Sequence, residues 1–259
     1  MQFSDKVALV TGAGSGIGKA TALRLAKGGA RVAVLSRTTE EIEATRDEIV
    51  AAGGQAIAVT ADIADPDGMR AAMEAIISTW QRLDIVVANA GINGVWAPID
   101  ELMPDEWDRT MTINLGGTYL TLHLSVPYLK KAGGSIIIVS SINGNRTFTT
   151  AGATAYSATK AAQVAMAQQL ALELGPHGIR VNAVCPGAID TQINDNTEAR
   201  NTAAAEIAAD FPDGDIPLTG GEPGKGADVA ETIAFLASDA ARHVTGVPLY
   251  VDGGQSLLR

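Results

Sequence analysis

Seven apolar runs of strand length, at residues 7–10, 31–35, 55–60, 85–88, 135–139, 179–184 and 248–251, alternate with longer stretches of helical periodicity along a chain of 259 residues. Strands that are apolar on both faces must be covered on both faces, and a helix after each strand supplies that cover. The pattern predicts an α/β fold: one doubly wound parallel sheet of seven strands, with right-handed crossovers and helices on both sides. No internal repeat or low-complexity linker interrupts it, so residues 1–259 are expected to form a single domain. In such sheets ligands bind beyond the carboxyl ends of the strands. The residues just after each strand therefore carry the functional signal.

The first of these turns, Thr11 to Gly18, reads Thr-Gly-Ala-Gly-Ser-Gly-Ile-Gly. It is not a P-loop, because Ala13 stands where the first glycine is needed and Ala20 where Ser or Thr is needed. Its spacing is that of the variant T-G-x-x-x-G-x-G, between a strand and a helix. This context predicts a dinucleotide whose pyrophosphate lies at the helix N-terminus, against Gly12, Ser15, Gly16, Ile17 and Gly18. The competing reading is a glycine turn that only packs strand to helix.

The second strand is followed by Ser36 and Arg37, where an acid would otherwise meet the ribose hydroxyls of NAD. That acid is missing. A guanidinium there grips a 2′-phosphate bidentately, which predicts NADP over NAD; stacking of Arg37 on adenine in either cofactor remains the alternative. Asp62 and Ile63 follow the third strand, and Asn89, Ala90 and Gly91 the fourth. An aspartate at that place accepts hydrogen bonds from backbone or an adenine amine, and Asn-Ala-Gly lets backbone come close to a cofactor. Both are also ordinary turn chemistry.

Tyr156 and Lys160 are one helical turn apart, so on a helix the phenol and the ammonium share a face. A nearby cation favours the phenolate and is expected to lower the tyrosine pKa from its usual value of about 10, which makes Tyr156 a candidate proton donor and acceptor. Ser141, after the fifth strand, is suited to polarising a substrate carbonyl, while serine is also an ordinary strand-end and turn residue.

Together these residues resemble the short-chain dehydrogenase/reductase family. Thr11 to Gly18, Asn89-Ala90-Gly91, Asn114, Ser141, Tyr156-x-x-x-Lys160, Pro186-Gly187 and the closing Val251-Asp252-Gly253-Gly254 occur in that family's order and approximate spacing, across the whole chain. The resemblance implies a Rossmann-type NAD(P)-dependent oxidoreductase interconverting a secondary alcohol and a ketone by hydride transfer. It implies that Tyr156 is the general acid/base, that Lys160 lowers its pKa and binds the nicotinamide ribose, and that Ser141 orients the reacting oxygen. Asn114 would anchor a water in a proton relay. Pro186, Gly187, Ile189 and Thr191 would hold the nicotinamide carboxamide and phosphates. A homotetramer with long helices at its interfaces is implied as well. NAD-linked sugar or polyol oxidation, 3-oxoacyl thioester reduction and a non-catalytic dinucleotide sensor are the alternatives.

Residues 190–228, rich in Thr, Asn, Asp, Gly and Pro with a modest helical pattern over 197–209, are expected to form a lid over the substrate. The net charge of −10, from 19 basic and 29 acidic residues, and the lack of a basic cluster beyond Lys130-Lys131 argue against nucleic acid or anionic membranes as partners. The lone Cys185, the absence of a long apolar N-terminal region and the lack of a membrane-length apolar run predict a cytoplasmic protein. Cys185 is expected to be a small buried residue. His123, His177 and His243 lack ligand spacing, so no metal is expected. Trp80 and Trp107 are expected to pack, and Trp96 is a candidate for lining the substrate pocket.

Overall fold

All seven apolar runs form strands: β1 (Val7–Thr11), β2 (Arg31–Ser36), β3 (Gln55–Thr60), β4 (Ile85–Ala88), β5 (Gly134–Val139), β6 (Ile179–Pro186) and β7 (Pro248–Val251). In a computed structural model, which describes residues 2–207 and 215–258, they pair in one parallel sheet of spatial order β3-β2-β1-β4-β5-β6-β7. Seven helices accompany them among the described residues: α1 (Gly16–Lys27), α2 (Thr39–Ala51), α3 (Pro66–Trp80), α4 (Pro104–Thr110), α5 (Gly117–Leu129), α6 (Thr154–Leu174) and α7 (Gly226–Ala237).

Successive strand residues point to opposite faces, and each face has its own core. Leu9, Leu35, Val86, Ile136 and Ile138 pack with Met73, Leu122 and Leu174 on the side of α3, α5 and α6. Val10, Val34, Val87 and Ile137 pack with Leu25, Ile42 and Ile233 on the side of α1, α2 and α7. This arrangement is a Rossmann-type doubly wound fold. Its strand order reverses at β1, which has β2 on one side and β4 on the other, and that switch opens a crevice between their carboxyl ends.

The turn from β1 into α1 needs its glycines for contact as well as for conformation. Gly12 has φ +65°, and a Cβ on Gly18 would lie 2.0 Å from the Gly12 carbonyl oxygen. Helix α1 packs this tightly onto the strand end only because position 18 has no side chain. A second irregularity lies between α4 and α5, where Met111–Gly116 form a π-helical turn around Asn114. Such turns widen the backbone ring and occur often at functional sites.

The segment after β6 departs from expectation. Thr197–Ala199 is a short strand parallel to Gly94–Trp96, and Thr202–Ala205 is a 3₁₀ turn, so the helical pattern expected over 197–209 does not form in its described part. The reason is tertiary pairing. Arg200 makes a fork of hydrogen bonds to Glu106, at 2.8 and 2.7 Å, and its backbone N–H donates to the Trp96 carbonyl. Weak helix propensity yields to these contacts. A second pair of strands, Ile189–Asp190 and Gly224–Lys225, fastens both ends of the segment beside β6. Residues 208–214, which belong to the expected lid, lie outside the described residues. No helix among the described residues is long and apolar enough to cross a membrane.

Candidate active site

Two loops meet at the crevice. The Thr11 hydroxyl accepts from the backbone N–H groups of Asn89 (3.0 Å) and Ala90 (3.1 Å), and the Asn89 amide donates to the carbonyls of Thr11 (2.9 Å) and Gly12 (3.3 Å). Above them opens a cleft of about 380 Å³ bordered by Gly12, Ser15, Gly16, Ile17, Asp62 and Asn89. A dinucleotide fits its donor set. The Ser15 side chain makes no capping bond to the α1 N-terminus, which leaves the first backbone N–H groups and the positive end of the helix dipole for a pyrophosphate. Gly91 keeps backbone bare where a Cβ would come within 3.0 Å of Asn114 Oδ1.

At the end of β2, Ser36 Oγ accepts from the Thr38 N–H at 3.1 Å, and Arg37 is exposed at the cleft margin. Asp62 Oδ1 accepts from the Ala64 N–H at 2.9 Å, so one of its oxygens serves the turn while the residue borders the cleft with Ile63. Thr191 closes the other side. A Cβ on Gly16 would meet its side chain at 3.2 Å.

The second cleft, of about 400 Å³, joins the first at Ile17, Asn89, Gly91 and Thr191. Tyr156, Lys160 and Ser141 converge in it, with Pro186, Gly187 and Ile189 at the end of β6 below. Tyr156 and Lys160 lie on one buried face of α6, with Lys160 Nζ 5.4 Å from the phenol ring centre and donating to the Val139 carbonyl at 2.9 Å. Asn114 is fully buried behind them. Its side chain donates to the Ile92 carbonyl and accepts from the Ile92 N–H, each at 2.8 Å, while its own carbonyl accepts from Thr118 Oγ1 (2.7 Å) and Gln163 Nε2 (3.0 Å).

Burial dominates the electrostatics here. The Tyr156 phenol is pushed up from its ordinary value by desolvation, partly offset by its hydrogen bond with Ser141. The net shift is therefore upward, where the spacing alone led to an expectation of a lowered value. The phenolate would be buried, and burial outweighs a charge that Lys160 directs toward the Val139 carbonyl. Lys160 itself is lowered to about 8, because its ammonium is desolvated. Cys185 is raised to about 11 by burial in β6, which keeps it a thiol.

Trp96 borders the second cleft, whereas Trp80 packs against the core. Thr11, read from the sequence only as the start of the glycine motif, joins the two crevice loops through its hydroxyl. Two residues outside the sequence reading also matter. Glu41, in the first turn of α2, borders the first cleft beside Gly14, where a Cβ would crowd its carboxylate. Gln255 borders the second cleft from the chain's end. It follows the last strand, so the rule that singled out the other strand ends also reaches it.

Comparison with known proteins agrees with this fold. Residues 12–256 match a family model described as Enoyl-(Acyl carrier protein) reductase. Cyclohexanol dehydrogenase from Acinetobacter sp. (strain SE19) is 39% identical over 253 residues, covering 97% of this chain and 95% of that protein. A crystal structure of a 3-ketoacyl-ACP reductase from Sinorhizobium meliloti 1021 superposes with a TM-score of 0.95 at 64% identity, covering 98% of this chain and all of that one. A 3-ketoacyl-(acyl-carrier-protein) reductase from Brucella melitensis, complexed with NADH, has a TM-score of 0.86 at 37% identity, covering 98% and 99%.

The depressed Lys160 value has a consequence for stability. Below pH 8 both folded and unfolded chains carry this proton, and the folded state bears the full cost of a buried charge. Between about 8 and 10.5 the folded state releases the proton first, so this group's contribution rises with pH. Lys160→Met lacks that contribution. Its stability relative to wild type, measured by urea unfolding, should decline by on the order of 3 kcal/mol between pH 7 and 10.5. A pH-independent difference would mean that Lys160 is not desolvated.

Proposed function

The chain belongs to the short-chain dehydrogenase/reductase family of oxidoreductases, and we propose that it interconverts a secondary alcohol and a ketone with NADP as the preferred partner. One observation carries the chemistry: Tyr156, Lys160 and Ser141 line a single cleft that opens into the crevice above the glycine turn. A nicotinamide bound there supplies or takes up the hydride. Gly12, Ser15, Gly16, Ile17 and Gly18 hold its pyrophosphate, Ser36 and Arg37 the adenosine phosphate, and Asp62, Ile63 and Asn89 to Gly91 the adenosine side. Pro186, Gly187, Ile189 and Thr191 hold the nicotinamide end.

In reduction, Tyr156 Oη gives its proton to the substrate oxygen as negative charge develops there, and in oxidation it takes the proton back. Burial keeps the proton on the phenol until that moment. Ser141 donates a hydrogen bond to the same oxygen, and the Lys160 ammonium stabilises the phenolate left behind. Asn114 fixes the backbone beside Lys160 and anchors the water through which the phenol regains its proton. Described parts of 190–228 cover the substrate, a reading supported by Asp190 and Pro223 on the wall of the redox cleft.

The single domain functions as a cytoplasmic homotetramer in this reading. Exposed Tyr119 on α5 and Leu172 on α6 are the apolar side chains that helix-mediated assembly would cover. A second reading, reduction of 3-oxoacyl thioesters, is favoured by the 64% identity to the Sinorhizobium structure described as a 3-ketoacyl-ACP reductase. Parallel assays with cyclic alcohols, sugars and an acetoacetyl thioester separate the two.

Tyr156→Phe removes one hydroxyl and keeps the ring. It should lower kcat by at least about 10²-fold, the low end for general acid/base groups, with cofactor binding unchanged within about twofold. Retention of more than about a tenth of kcat would take Tyr156 out of this role.

The cofactor preference has its own test. Arg37→Ala should weaken NADP by about 1.5–3 kcal/mol and NAD far less, read as the ratio of kcat/KM for the two cofactors at fixed low salt. Ser36→Asp should shift the ratio the same way by repelling the phosphate. A wild-type preference for NAD that Arg37→Ala leaves unchanged would overturn the NADP assignment.

A further inference from the structure

The chain leaves β7 beside the end of β6, since Val251 pairs with Pro186, and then reverses through Asp252, Gly253 and Gly254. The Asp252 carboxylate holds the reversal by accepting from the N–H groups of Gly254 (3.0 Å) and Ser256 (3.1 Å) and from the Ser256 hydroxyl. Gly253 and Gly254 both have positive φ, at +59° and +87°, so the turn is tight enough to send the next residue back toward the redox cleft. That residue is Gln255, which is 6% exposed.

Its amide bridges two parts of the molecule. Oε1 accepts from the Ala188 N–H at 2.8 Å, and Nε2 donates to Asp215 Oδ2 at 3.0 Å. The neighbouring floor is held by backbone: the Gly187 N–H donates to the Val251 carbonyl at 3.1 Å, and the Ala188 carbonyl accepts from the Gly224 N–H at 3.0 Å. The Ala188 N–H instead depends on a side chain. Contact there is close, because a Cβ on Gly187 would fall 2.7 Å from both Gln255 Oε1 and Asp252 Cβ. Asp215 in turn begins the described stretch that runs through Ile216 and Leu218, whose N–H donates to the Gly253 carbonyl at 3.0 Å.

We propose that Gln255 is a positioning residue of the redox site: its one amide fixes the Ala188 backbone at the nicotinamide floor and ties that floor to Asp215 on the substrate-covering segment. The proposal rests on the nicotinamide reading of the cleft for its functional meaning. Its physical content is a coupling. Displacing Asp215 releases a restraint on Ala188, and ordering the floor around a ligand draws Asp215 into place.

Three variants test it, each followed by the dissociation constant for reduced nicotinamide cofactors, read by fluorescence, and by hydrogen exchange across 187–190. Gln255→Met keeps the volume and removes both bonds; the dissociation constant should rise about tenfold and exchange should quicken, because a buried N–H has lost its partner. Gln255→Glu keeps an oxygen for Ala188 but sets a carboxylate against Asp215, and should be impaired similarly. Adding Asp215→Asn gives that carboxylate an amide donor, and the double variant should return to within about threefold of wild type.

A Gln255→Met protein with binding within twofold of wild type and unchanged exchange would overturn the proposal. So would a double variant as impaired as Gln255→Glu. Should Gln255→Met fail to fold, the comparison of Gln255→Glu with its Asp215→Asn partner decides alone. Turnover that survives Tyr156→Phe would defeat the catalytic reading while leaving the Gln255 measurements intact, so the two failures are distinguishable.

Discussion

Everything in the site depends on how closely the ends of β1 and β4 approach each other. Adjacent parallel strands run about 4.8 Å apart, yet their chains must then diverge to opposite faces of the sheet. Here the divergence is held open in a fixed shape by the Thr11 hydroxyl and the Asn89 amide, which exchange four hydrogen bonds between the two loops. A serine or threonine hydroxyl supplies both acceptor lone pairs and a donor, so one side chain holds two backbone N–H groups. The N-terminus of α1 is thereby fixed opposite Gly91, and Gly91 in turn abuts Asn114 in the π-helical turn.

From that fixed crevice the buried polar face of α6 acquires its properties. The helix buries a phenol, an ammonium and Thr159 on the side facing Asn114, whose Nδ2 donates to Thr159 Oγ1 at 3.2 Å. Burying a lysine is costly, and the structure offsets the cost with the Val139 carbonyl instead of a carboxylate. The consequence is an amine near 8 that is still mostly charged at neutral pH, beside a tyrosine whose proton is retained. A carboxylate partner would have neutralised the charge that the phenolate needs.

The sheet was legible because strand formation depends on short-range pattern. The apolar runs at 55–60, 85–88 and 248–251 coincide with the observed strands, and the others fall within one or two residues. Tyr156 and Lys160 were legible for a related reason, since their relation is set by one turn of helix. What the sequence could not give depends on distant contacts. The 197–209 pattern was read as helical, but Arg200 finds Glu106, nearly a hundred positions away, and the segment pairs with Gly94–Trp96 instead. The direction of the Tyr156 shift likewise depends on how deeply the helix is buried, which spacing does not report. Gln255 was missed because its two partners, Ala188 and Asp215, are remote in sequence from it and from each other.

The central claim is that this cleft transfers a hydride directly to carbon, with the proton handled separately by the protein. Reduction of an accepted ketone with nicotinamide cofactor deuterated at the transferring position of C4, run in ordinary water, tests it most directly. The account predicts an alcohol carrying one deuterium at the carbinol carbon and ordinary hydrogen on its oxygen, by mass spectrometry and NMR. An alcohol whose carbinol carbon carries hydrogen from solvent would contradict it.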